Sequence, residues 1–182
     1  MKAFLFGLLM GCVLLSGCAS TVGSLPPLAA NEKHQYLLGP GDVLQITVFG
    51  DTDLTGSYRI SDSGAISMSL IGPLQAQGLA VPELQQKLVE RLKARALKAP
   101  DVAVQVTEYR PFFILGEVKN PGSYAYVPNM TVLTAVAIAG GFTFRAAEDA
   151  VSVTRAPHGE ARATRSSPLQ PGDVVYVFER HF

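Results

Sequence analysis

Residues 36–50 read YLLGPGDVLQITVFG, and this stretch decides how the chain begins to fold. Pro40 presets φ at the second position of a turn, and Gly41 accepts the positive φ that a type II turn needs at the third. Asp42 then closes the turn, and Val43–Phe49 is β-branched and apolar enough to run as a strand. The same punctuation recurs at Asn120-Pro121-Gly122-Ser123 before Tyr124–Val127, and at Gln170-Pro171-Gly172-Asp173 before Val174–Phe178. Three turn-to-strand joints follow. The first and third share the pattern Leu-x-Pro-Gly-Asp-Val. They are taken as independent joints, one opening a folded unit and the other closing a second.

Between them the apolar pattern changes period. Val102, Val104 and Val106 alternate with Ala103, Gln105 and Thr107, so Asp101–Tyr109 is a strand with one buried face. Asp62-Ser63-Gly64 reads as a hairpin turn between Arg59–Ile60 and Ala65–Met68. Pro82 and Glu83 open a helix whose Leu84, Leu88 and Leu92 recur at four-residue spacing, and Lys93, Arg95 and Lys98 suit its C-terminal dipole. A second helix runs from the N-cap Thr131 to Ala139 and stops at Gly140-Gly141. It is apolar nearly all round, so a neighbouring element or subunit must cover it.

The N-terminus carries a different signal. Lys2 precedes Ala3–Leu15, an uncharged stretch of about 13 residues, long enough for a signal peptide and short of the ~20 that a spanning helix needs. Leu15-Ser16-Gly17-Cys18 follows. Small residues before a cysteine are the pattern at which a signal is cut and the thiol is lipidated. Residues 1–17 are therefore expected to be a lipoprotein signal peptide, with Cys18 as the lipid attachment site. Two or three acyl chains together hold a protein firmly to a bilayer, where one does not. Ala19 follows the cysteine, which points to the outer membrane. Residues 18–33 have no periodic apolar face and read as a lipidated tether. Cys12 leaves with the signal, so the mature chain has no internal disulfide.

Charge and chemistry exclude several classes. Lys plus Arg and Asp plus Glu both total 15, which gives no basic surface for nucleic acid. No His-x-x-x-His or Cys-x-x-Cys pair suggests a metal, no Gly-rich loop opens a helix for phosphate, and no cofactor is expected. Asp42 and Asp62 sit in turns, where aspartate bonds local backbone. Asp51 and Asp53 read as loop residues after Gly50. Arg155, Arg162 and Arg165, around His158-Gly159-Glu160, read as a solvated loop, with contact to an anionic polymer or partner as the alternative. Nothing here calls for an enzyme.

The order of these motifs resembles the bacterial polysaccharide export family of outer-membrane lipoproteins. Residues 36–50 look like its opening strand, with Phe49 where tryptophan is frequent. Ile66–Gly78, containing Leu70-Ile71-Gly72-Pro73-Leu74, resembles its central segment before the helix, with Ser69 where proline is usual. Ala80 replaces a common threonine helix cap. Pro100–Val106 with Tyr109 resembles the strand after the helix, and Ile114–Tyr124 with Thr131–Phe142 resembles the soluble-ligand-binding β-grasp (SLBB) domain that follows. The resemblance implies an α+β protein of two small mixed domains: an export domain of short strands plus one helix at 34–109, then a β-grasp domain at 110–182. It implies a non-enzymatic ring, commonly an octamer, on the periplasmic face of the outer membrane. Such a ring would guide exopolysaccharide or capsule polymer from an inner-membrane co-polymerase. Longer members carry a C-terminal membrane-crossing helix that is not found here, so a separate outer-membrane β-barrel is the expected exit. The alternative is a monomeric periplasmic lipoprotein that binds a sugar or cell-wall ligand.

Overall fold

Two apolar clusters organise the chain, and each is built from one helix against one main sheet. The computed structural model describes residues 22–28, 36–95 and 98–180. Cys18, the signal peptide and part of the expected tether lie outside them. The fold is α+β with two small domains.

In the first unit β1 (Val43–Val48) lies between β2 (Asp51–Arg59) and β5 (Val102–Glu108), both antiparallel to it. Leu44, Ile46 and Val48 of β1 are buried with Val102 and Val104 of β5. Between β2 and β5 the chain forms a hairpin, β3 (Ala65–Met68) with β4 (Gly72–Gln75), and the helix α1 (Val81–Arg95). Leu84, Leu88 and Leu92 are fully buried on one face of α1, as their spacing predicts. The missing threonine cap is offset from the other side, because Glu83 Oε2 accepts the Ala80 N–H at 2.9 Å. That is the returning half of a capping box.

The second unit is a five-stranded sheet in the order β7-β6-β10-β8-β9. Its strands are β6 (Phe112–Gly116), β7 (Gly122–Tyr124), β8 (Ala146–Arg155), β9 (Gly159–Ala163) and β10 (Val174–Glu179). The first and last, β6 and β10, run parallel at its centre, and the other pairs are antiparallel. The helix α2 (Val132–Ile138) buries Val132, Ala135 and Val136 in the same cluster as Phe112, Ile114, Val153 and Val175. Thr131 caps α2, and Thr134 returns the bond to the Thr131 N–H at 2.7 Å. Leu133 and Ile138 remain about half exposed on its outer side.

Several expectations are corrected. Asp51 and Asp53 are not in a loop. Gly50, at φ 82°, turns the chain within two residues, and Val48 pairs with Asp51 at the start of β2. Asp51 Oδ1 there accepts the N–H groups of Asp53 and Leu54. Asp62-Ser63-Gly64 does form a turn, closed by Gly64 N–H to Ser61 O at 2.8 Å. It joins strands of different sheets, however, because β2 pairs with β1 and β3 with β4. Gly122 is no turn residue: it lies in β7 opposite Ile114, and the strand begins two residues before the expected Tyr124. The positive φ in that region belongs to Gly116 (82°).

The expected tether is also partly placed. Val22–Ser24 forms a short 3-10 turn, and Pro27 bridges in parallel to Arg162 of β9. Leu28 N–H donates to Arg162 O at 2.7 Å, and Arg162 N–H donates to Pro26 O at 2.8 Å. Pro27 needs no N–H in this register, which is how proline is accommodated at a sheet edge.

Candidate functional site: the junction between the two units

The two Leu-x-Pro-Gly-Asp-Val motifs are built alike. Gly41 and Gly172 have φ of 93° and 87°. Asp42 Oδ2 accepts the Gly39 N–H at 2.9 Å, and Asp173 Oδ2 accepts the Gln170 N–H at 2.7 Å. Beyond the turn, Gly41 N–H donates to Ile60 O while Gly172 N–H donates to Pro111 O. Asp42 O accepts from Ile60, and Asp173 O accepts from Phe113. The likeness thus extends past the turn to the neighbouring strands. Both carboxylates are fully buried, and a buried charge requires a partner.

Asp173 is met by Arg155 in two bonds, Nε to Oδ1 at 2.8 Å and Nη2 to Oδ2 at 2.7 Å. Arg155 is therefore no solvated loop residue. Arg165 is exposed as expected, but it pairs with Glu148 and Asp149. Asp42 is met by Arg110, whose backbone N–H donates to Oδ1 at 2.9 Å and whose Nη1 lies 3.4 Å from Oδ2. Tyr36 Oη donates to Asp42 Oδ2 at 2.5 Å and accepts from Arg110 Nη1 at 3.0 Å. Arg110 Nε then reaches across to Pro171 O of the second motif at 3.1 Å. One side chain in the connector between β5 and β6 clasps both joints.

Sequence reasoning missed Arg110. Two aspartates fixed in turns ahead of apolar strands are the signal that cations must be found for them, and Arg110 stands beside Pro111 in the connector. Arg110→Ala is expected to lower stability by about 1.5–3 kcal/mol, the range for hydrogen bonds to charged groups. Urea unfolding of the purified chain measures it. A midpoint equal to that of the parent would show that the clasp contributes nothing to stability.

Three tyrosines gather beside the clasp. The rings of Tyr36 and Tyr109 meet edge to face at 5.1 Å, and those of Tyr109 and Tyr126 at 5.5 Å. Tyr126 Oη donates to Leu169 O at 3.1 Å. With Asn129, Pro168 and Gln170 they line a cleft of about 250 Å³. The Tyr36 hydroxyl is pushed well above the ordinary tyrosine range, by burial first and then by its bond to Asp42 and that carboxylate's charge; Arg110 opposes the shift. The folded state thus favours the neutral phenol. Its contribution is complete below pH ~10 and is lost as pH rises past that value. Unfolding midpoints are expected to fall steeply above pH ~10. In Tyr36→Phe the fall is expected to be shallower but not absent, because burial also raises Tyr58 and Tyr126. Parallel curves for parent and variant would refute the assignment.

Comparisons with known proteins agree with this two-part architecture. The family described as polysaccharide biosynthesis/export protein matches residues 30–107, and the SLBB domain matches residues 111–165. Arg110 falls between the two matches. An exopolysaccharide production protein of Rhizobium meliloti (strain 1021), ExoF, is 32% identical over 141 residues, covering 68% of this chain and 34% of its own length. The polysialic acid transport protein KpsD of Escherichia coli is 24% identical over 135 residues, covering 73% of this chain and 24% of its own length. The chain thus spans about a third or less of these curated relatives. With both matches adjoining at the clasped junction, the chain belongs to the polysaccharide biosynthesis/export family and carries an SLBB domain as its second unit.

Proposed function

We propose that this chain is a periplasmic, outer-membrane-anchored ring component of exopolysaccharide or capsule export, guiding polymer from an inner-membrane complex towards the outer membrane. The observation that carries this reading is the pair of domains, export then SLBB, in the order expected from the motifs. Its role is passage and not turnover. Its partners are further copies of itself, an inner-membrane co-polymerase and a separate outer-membrane β-barrel. Among the described residues no helix is long and apolar enough to cross a membrane; the anchor in this reading is the acyl chains on Cys18. Self-association is supported by apolar side chains left in solvent: Leu133 and Ile138 on α2, Phe144, and Phe113, Leu115 and Tyr176 on the outer face of the five-stranded sheet. Isolated exposed apolar residues are ordinary, but a cluster on one sheet face marks an interaction surface.

The test is genetic and biophysical. Deleting the gene is expected to abolish secreted polymer, and the intact gene is expected to restore it. Cys18→Ser is expected to leave the protein unacylated and to fail in that rescue. Mass spectrometry of the mature N-terminus reads the modification directly, and an unmodified Cys18 would remove the anchor from the proposal. Light scattering on acylated, detergent-solubilised protein is expected to give a closed oligomer. A monomer at every concentration, with and without the co-polymerase, would instead favour the sugar-binding alternative.

A further inference from the structure

We propose that the tyrosine cleft at the junction is a binding site for one neutral sugar residue of a polysaccharide chain. The cleft is concave and lies where two units meet, a preferred place for small-molecule sites, and aromatic rings with a few amides line it. Its volume of about 250 Å³ is just below the usual range for drug-sized ligands, so it suits one pyranose ring and not an oligosaccharide. The electron-rich face of an aromatic ring attracts the weakly positive C–H groups on the flat side of a pyranose. Three tyrosines at successive angles of 73° and 68° present such surfaces from more than one direction.

The rings are ordered before any ligand arrives. Tyr36 is held by Asp42 and Arg110, and Tyr126 by Leu169 O, so little freedom remains to be lost on binding. Beside Tyr126, Asn129 also lines the cleft, in the left-handed turn conformation (φ 65°) that asparagine commonly adopts. Its amide offers one acceptor and two donors to sugar hydroxyls. No charged side chain lines the cleft. The cation at its edge, Arg110, is already matched by Asp42 and bonded to Tyr36 Oη and Pro171 O, so the site favours neutral residues. With about a dozen atoms to contact, the affinity should be on the order of millimolar. That weakness fits a moving polymer, which must be able to leave each contact it makes. The inference deepens the export reading and rests on it only for the source of the sugar.

The test is saturation-transfer NMR with the full mature chain. The probes are methyl glucoside, methyl galactoside, cellobiose and maltose, with N-acetylneuraminic acid and glucuronic acid as charged comparators. At least one neutral probe is expected to show saturable transfer to its ring C–H protons, unchanged by salt, with the acidic probes binding no more tightly. Tyr109→Leu is expected to weaken that binding roughly tenfold. Should Tyr109→Leu fail to fold, Asn129→Gly serves instead, since glycine accepts φ 65° without strain and removes only the amide; a several-fold loss is expected. Absence of saturable transfer from every neutral probe, tighter binding of an acidic one, or parental affinity in Asn129→Gly would overturn the proposal. Failure here alongside loss of polymer secretion on gene deletion would leave the export reading intact. Binding without any secretion defect would sink the export reading and keep the cleft.

Discussion

Arg155→Leu is expected to destabilise the chain by about 3–5 kcal/mol, the loss seen when one partner of a buried ion pair is removed. Asp173 is fully buried and the Arg155 side chain is 11% exposed, so water offers neither a substitute. Without the guanidinium, the Asp173 carboxylate is left with the Gln170 N–H as its donor. Pro168 O also loses its donor, Arg155 Nη2 at 3.2 Å. The damage falls where β8 and β10 pair, since Thr154 stands opposite Val174. Two companions make the measurement decisive. Arg165→Leu removes an arginine from an exposed cluster and is expected to leave the urea midpoint unchanged, as surface pairs contribute little. The double variant Arg155→Leu with Asp173→Leu removes both charges and is expected to recover much of the loss. A single variant as mild as Arg165→Leu would show that the pair is not the constraint it looks to be.

Gly116→Ala is expected to be at least as harmful, above about 3 kcal/mol, because two independent penalties fall on one atom. At φ 82° any side chain is strained, and a Cβ there would clash with the backbone oxygen of Val177. That oxygen cannot swing aside. It accepts the Glu117 N–H at 3.0 Å, within the parallel pairing of β6 with β10 at the centre of the sheet. Gly50 provides the comparison, with the same φ of 82° and nothing within 4 Å of the point where a Cβ would stand. Gly50→Ala should therefore show only the backbone penalty, about 1–2 kcal/mol. Thermal unfolding of both variants separates the two contributions, and equal losses would mean that the close approach at Gly116 is relieved by movement.

Local signals survived folding, and distant ones were invisible. The helix α1 was legible because Leu84, Leu88 and Leu92 mark one face. So were β1 and β10, whose apolar runs follow clear turns, and β5, whose Val102, Val104 and Val106 alternate with Ala103, Gln105 and Thr107. By contrast, β2 buries only Leu54, and its Asp51, Thr52 and Asp53 start looks like a loop. In β8, Glu148 and Asp149 hide a strand that becomes apolar only at Val151 and Val153. Asn120-Pro121-Gly122-Ser123 carried the composition of a turn, yet Gly122 had already joined the ladder. The site was less readable still. Arg110 and Asp42 are 68 positions apart, and Tyr36, Tyr109 and Tyr126 come together only once both units have formed. No local pattern encodes that meeting, although two turn-bound aspartates without neighbouring cations hint at part of it.

The pairing of Pro26–Leu28 with β9 has a topological consequence if Cys18 is acylated as proposed. Eight peptide steps separate Cys18 from Pro26, a span of at most about 29 Å. The first folded element reached from the lipid is thus an edge of the second domain, although the first domain comes earlier in the chain. Order along the membrane normal would then reverse order along the sequence. With that anchor, the SLBB sheet would be held close to the bilayer on a short leash, and the export domain would be free to stand farther from it.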